Sequence, residues 1–221
     1  MPGEARTETG VARSFTLRRR LVARRTFGSD YANQVVSEDG RVLFSGLTHG
    51  RFLAKKAVFS DPDDGAAFTI GATRSLLPRT WLLSDTDGAE IARFRLRWIA
   101  PGAISVAHRG GSLSLTPPGG PVRDVLMGLV LMHGADVAVT RDGTPVGYLG
   151  RAGESRPARR LAGLLAALAR RLSGAGGSIV DNEFEAARLT LFEAGSAIGP
   201  MLAAGMLLIK EYVIDDVRRP E

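Results

Sequence analysis

The chain has no cysteine among its 221 residues. That excludes disulfides, thiolate metal sites and a cysteine nucleophile, and it suits a reducing compartment. Lysine is scarce too: only Lys55, Lys56 and Lys210 stand among 29 basic residues. The three histidines, His49, His108 and His133, each sit in or beside a glycine turn, and no two share the spacing of a metal motif. No GxSxG, P-loop or dinucleotide fingerprint occurs. Asp61, Asp63 and Asp64 suggest a calcium loop, but Gly65 falls one place early and Pro62 breaks the pattern, so a capped turn is expected. These absences leave no catalytic constellation, no metal site and no cofactor, and the expectation is a non-enzymatic protein. The N-terminal stretch MPGEARTETGVARSF lacks the apolar core of a secretory signal, and the expected location is cytoplasmic.

What is present is arginine. Bases exceed acids by six, and arginine offers a planar fork of donors that matches phosphate oxygens in pairs. Net charge alone leaves lipid headgroups, nucleic acid and plain solvation open. Hydrophobic residues make up 44% of the chain, enough for the core of a single domain.

From Phe15 to Gly150 the sequence reads as short strands punctuated by turns. Asp39-Gly40, Asp64-Gly65, Asp87-Gly88, Gly110-Gly111 and Asp142-Gly143 can each reach the positive φ of a tight hairpin. Five hairpins give ten strands. Ser14–Leu21 at the front and the apolar run Val125–Leu131 bring the count to about twelve, as a meander or closed barrel requires. In the strand Ile91–Trp98, Ala92, Phe94, Leu96 and Trp98 alternate with Arg93, Arg95 and Arg97, so one face is core and the other wet or bound.

Residues 152–182 break this rhythm. Leu161, Leu164, Leu165, Leu168 and Leu172 share one face of a predicted amphipathic helix, with Arg159 and Arg170 opposite and Arg160 and Arg171 on a flank. Such a helix packs on a barrel or lies on an anionic membrane. The expected organisation is a flexible N-terminus over 1–13, one barrel domain over 14–216 with this helical insert, and a tail over 217–221.

The most apolar segment is Leu189–Ile209, with one acid and no base. Its roughly 20 residues would span the ~30 Å core of a bilayer. The mixed flank Lys210–Asp216 lacks the basic cluster expected beside an anchor, and about twelve strands enclose a lumen that could accept a helix ~10 Å across. A buried central helix over about 187–210 is therefore preferred to a membrane span. Its expected apolar and small positions include Leu191, Gly195, Gly199, Leu202, Gly205 and Leu208, and Pro200 is expected to kink it near Ser196.

Taken in order, YANQVVSEDGRVLFSG, FLAKKAVFSDPDDGAAFTI, RSLLPRTWLLSDTDGAEIARFRLR and the terminal LLIKEYVID resemble the Tubby C-terminal-like superfamily, in its phospholipid-scramblase and LURP-one-related branch. The resemblance implies a twelve-stranded closed β-barrel threaded by a hydrophobic C-terminal helix, and a partner of membrane phospholipid. The acid-rich calcium segment of the scramblases is not matched by Asp181, Asn182, Glu183 and Glu185, and their acylated cysteines have no counterpart. The expected function is binding of anionic lipid headgroups, at a position peripheral to a membrane, through Lys55, Lys56, Arg93, Arg95, Arg97, Arg159, Arg160, Arg170 and Arg171. The alternatives are a module that binds another protein, and a barrel anchored by 189–209. Nucleic acid ranks last, because no interleaving of aromatic and basic residues of the RNA-binding sort occurs.

Overall fold

A computed structural model describes residues 11–25, 28–49, 56–63, 65–73, 80–96, 103–116, 137–150 and 184–211. Within them twelve antiparallel strands close into one barrel. β1 (Val11–Arg25), β2 (Gly28–Ser37) and β3 (Val42–His49) lead into β4 (Ala57–Asp61), β5 (Gly65–Ala72) and β6 (Thr80–Asp85). β7 (Glu90–Leu96), β8 (Ile104–His108), β9 (Gly111–Thr116), β10 (Val137–Arg141) and β11 (Thr144–Gly150) continue the meander. β12 (Phe184–Phe192) pairs with both β11 and β1 and closes the cylinder.

The five predicted hairpins are all present, and Gly40, Gly65, Gly88, Gly111 and Gly143 all have φ between +81° and +118°. The tightest of the Asp-Gly turns joins Arg141 to Thr144 through Asp142 (φ 49°) and Gly143 (φ 81°). This two-residue loop with both central φ positive matches the right-handed twist of its strands.

Inward-facing side chains fill the lumen. Phe59, Phe68, Ile70, Leu83, Phe94 and Ile104 are fully buried. The Phe59 and Phe68 rings stack at 4.9 Å, and Phe44 meets Phe68 edge-on at 5.1 Å. Burying this surface is the main favourable term in the fold.

The terminal segment departs from the expected rod. Residues up to Phe192 complete β12, where Ala187, Leu189 and Leu191 share one fully buried face and Arg188 between them is exposed. That period of two is a strand, so the central helix does not start near 187 and Leu191 belongs to the wall. A 3-10 turn (Glu193–Gly195) then reverses the chain into the only α-helix among the described residues, α1 (Pro200–Ile209). Pro200 does not kink α1; it begins it, with Gly199 as N-cap and the Ala203 N–H donating to the Gly199 carbonyl at 3.0 Å. Proline suits that place because its φ is preset and the missing N–H has no helical partner there.

Residues Leu202–Ile209 are buried on every side of α1. A helix apolar all round must be enclosed, and the barrel encloses it. Its ten residues span roughly 15 Å, half a bilayer core. No described helix is long and apolar enough to cross a membrane, and the reading of 189–209 as a transmembrane anchor is set aside: the segment is part strand, part turn and part buried helix. A methyl group on Gly205 would stand 3.0 Å from Phe94 Cζ and 3.1 Å from Leu83 Cδ2, so this glycine does bring helix and wall together. Gly195 lies in the 3-10 turn against the Val146 carbonyl, and Gly199 faces open space; the two do not form a helical motif.

Twelve strands were expected, but the twelfth is not where it was placed. Val125–Leu131 lies outside the described residues, as does the predicted amphipathic helix over 152–182. β1 starts at Val11, inside the N-terminal stretch expected to be flexible.

Candidate anion-facing surface

The barrel has two unlike ends. The five hairpin turns gather at one, where Glu38, Asp39, Asp61, Asp63, Asp85 and Asp87 are carried on or beside the turns. Several of these carboxylates are used locally. Asp85 Oδ1 accepts from the backbone N–H of Asp87 and Ala89, and Asp61 Oδ1 accepts from the N–H of Asp63. The Ser37 hydroxyl and the Arg41 N–H hold the Asp39 carboxyl below its ordinary pKa. At the opposite end, the connections 50–56, 73–79 and 97–103 contain Arg51, Lys55, Lys56, Arg74, Arg79 and Arg97 and no acid.

Of the expected headgroup residues, Lys56, Arg93 and Arg95 are described, and all three are exposed. On β7 the expected alternation holds: Ala92 and Phe94 are fully buried while Arg93 and Arg95 face out. Register places them relative to Lys56. Ala57 pairs with Ile70, so Lys56 falls beside Gly71; Gly71 pairs with Leu82, and Leu82 with Arg93. Lys56 and Arg93 therefore share one rung of the outer wall, three strands or roughly 14 Å apart. Lys55, Arg97, Arg159, Arg160, Arg170 and Arg171 lie outside the described residues.

The two β7 arginines are not equivalent. Arg93 forms a two-pronged ion pair with Glu90, at 3.1 and 2.7 Å, which raises its pKa. Arg95 and Lys56 have no acid within ion-pair distance among the described residues. These two charges remain available to an incoming anion.

A second set of charges is inside. Arg19, in the middle of the run Arg18-Arg19-Arg20, points into the lumen with its guanidinium 3.8 Å from the centre of the Tyr31 ring. It is ion-paired with Glu211, which follows α1, and Lys210 is fully buried beside it in sequence. Asn33 Nδ2 donates to Thr48 Oγ1 at 2.9 Å, and both side chains are buried. The Arg19–Glu211 pair tethers the helix terminus to β1, and the Asn33–Thr48 bond ties β2 to β3. At the entrance of the helix, Arg13 donates to the carbonyls of Ser196 and of Ile198, the latter at 2.9 Å.

The sequence reading missed the inward Arg19, because a triple arginine reads as a solvated run. It also missed three exposed aliphatics. Val22, Leu47 and Val58 are 53%, 47% and 50% exposed. The signal available was parity: Leu47 stands between Gly46 and Thr48, both on the inward register with Phe44.

No group of three or more histidine or acidic residues arranged to hold a metal occurs among the described residues. No family model matches the chain, and no curated protein or solved structure matches it.

Proposed function

We propose that this barrel is a Tubby C-terminal-like protein of the scramblase and LURP-one-related branch that binds anionic phospholipid headgroups, acting at a cytoplasmic membrane face without catalysing a reaction. The observation that carries this reading is the segregation of charge along the barrel axis. Six acids lie on or beside the hairpin turns, while the connections 50–56, 73–79 and 97–103 at the opposite end contain six bases and no acid. Such an arrangement orients the molecule in the field of an anionic surface and favours approach by its basic end. Each base near a membrane of this kind contributes about 1 kcal/mol, so Lys56, Arg95 and a few neighbours suffice for reversible attachment. The twelve strands, the enclosed hydrophobic helix and the ordered turn motifs support the family reading.

Flotation with vesicles tests it. The protein is expected to float with phosphatidylcholine vesicles containing phosphatidylserine, to stay behind with phosphatidylcholine alone, and to release as salt rises. Reversal of Arg93, Arg95 and Arg97 to glutamate is expected to weaken binding. Equal binding to neutral vesicles defeats the electrostatic reading, and absence of any vesicle binding, with a stoichiometric protein partner retained on purification, favours a protein-binding module.

A further inference from the structure

The exposed aliphatics missed in sequence lie together. Arg20 pairs with Ala32 and Ala32 with Leu47. Gly46 pairs with Phe59, so one step along the ladder Leu47 stands beside Val58. Lys56 is two residues before Val58 on the same outward face, and it shares its rung with Leu82 and Arg93. The outer wall from β1 to β4 thus carries an apolar strip, Leu47 and Val58, with Arg20 on one side and Lys56 on the other.

Among the described residues, the β1–β2 pairing also runs further than that of its neighbours. β12 is paired with β1 only as far as Arg19, and β3 with β2 as far as Asp30. The β1–β2 ribbon continues to the Arg25–Gly28 rung, so Arg20–Arg25 runs roughly 20 Å of strand past the last described β12 pair. This ribbon carries the exposed Val22 and places Arg24 and Arg25 at its outer rungs. Single exposed aliphatics are ordinary on a protein surface. Here Leu47 and Val58 lie beside a ribbon that carries Val22, near Arg20 and Lys56 and away from the acidic turns, and that combination matches the two layers of an anionic bilayer surface: phosphates outside, acyl chains just beneath.

We infer that the β1–β4 sector is the membrane-docking surface, with Val22, Leu47 and Val58 entering the interfacial layer while Arg20 and Lys56 engage lipid phosphates. This rests on the lipid-binding reading above and adds to it a place, an orientation and an apolar component. The barrel stands with its hairpin turns away from the membrane. Arg93, held by Glu90, is then a peripheral rather than a central contact.

The absence of native cysteine permits single-site labelling. Leu47→Cys carrying an environment-sensitive nitrobenzoxadiazole fluorophore is expected to shift to the blue and brighten on addition of phosphatidylcholine–phosphatidylserine vesicles. The same label on Thr144→Cys, at the turn end, is expected to show no change. A Leu47→Ser, Val58→Ser variant is expected to lose roughly tenfold in vesicle partition, since a loss of ~1.4 kcal/mol of apolar insertion is a factor of ten. Both sites are half exposed, so an unchanged melting midpoint confirms that the barrel is intact. If the wild type floats with anionic vesicles but the Leu47 label is silent, or the serine variant partitions as wild type, the docking surface is wrong and the lipid reading survives. If the wild type does not float, both fall. A Leu47 label that responds to a 20-base-pair DNA duplex and not to vesicles assigns the surface to nucleic acid and overturns both.

Discussion

One end of the barrel is joined by connections of two to four residues that turn on positive-φ glycines, while the other is joined, apart from residues 26–27, by connections of seven or more. The short end satisfies its charges locally, with carboxylates accepting from their own turn amides. The long end has charges in two places, outside on Arg20, Lys56 and Arg95, and inside on Arg19, Lys210 and Glu211. The difference separates two tasks. Tight turns fix strand register, and the opposite end holds the helix terminus through the Arg19–Glu211 pair.

Removing the helix is expected to have the largest effect. A chain ending at Phe192 loses Ile198 and the fully buried run Ala203–Ile209, and leaves a lumen lined by phenylalanine and leucine open to water. Aggregation on expression is the expected outcome, read by size-exclusion chromatography; a soluble monomer with native β circular dichroism would show that the helix is dispensable to the wall. Leu207→Ala is the milder form, and a buried Leu→Ala change typically costs about 2–5 kcal/mol.

Next is Glu211→Ala at the basic end. Arg19 and Glu211 are both about 5% exposed, and breaking a buried pair by removing one partner costs about 3 kcal/mol or more, because the other charge stays in a dry place. Thermal unfolding is expected to show a clear drop in midpoint, and Arg19→Met in the same chain is expected to recover much of it. Arg13→Met at the turn end deletes hydrogen bonds to the Ser196 and Ile198 carbonyls beside solvent; about 1 kcal/mol is expected there. Equal losses from Glu211→Ala and Arg13→Met would remove the distinction between the ends.

That distinction also decides what the sequence could show. The five hairpins are legible because each needs a residue tolerant of positive φ, and the sequence names it at Gly40, Gly65, Gly88, Gly111 and Gly143. β7 is legible because arginine and apolar residues alternate without a break. β12 is not: Ala186–Ala187–Arg188–Leu189–Thr190–Leu191 alternates only from Ala187 onward, its register with β1 shifts at Leu17/Arg18, and the helix beyond it is more apolar still. Composition then favours one long helix, whereas closure of the barrel requires a strand between β1 and β11. The inward turn of Arg19 and the outward turn of Leu47 likewise depend on strand parity across bulges, such as that between Leu21 and Ala23, which cross-strand pairing reveals and a single strand does not.

The smallest expected effect is a pH dependence confined to the turn end. His108, at the close of β8, is held below the ordinary histidine value of 6.5, first by burial and then by the nearby Arg141 charge. Its Nδ1 accepts from the Gly110 N–H at 3.1 Å, a role only the unprotonated nitrogen can play. As pH falls below 6.5 the unfolded chain takes up this proton before the folded barrel does, so stability declines with acidification until the folded-state value is passed. Denaturant midpoints measured between pH 7.5 and 5 are expected to fall more steeply for the wild type than for His108→Gln. The ring is only partly buried, so the difference is small, and variants at the basic end such as Glu211→Ala are expected to keep it. If His108→Gln leaves the slope unchanged, the acid sensitivity lies elsewhere and this turn is as insensitive to pH as its neighbours.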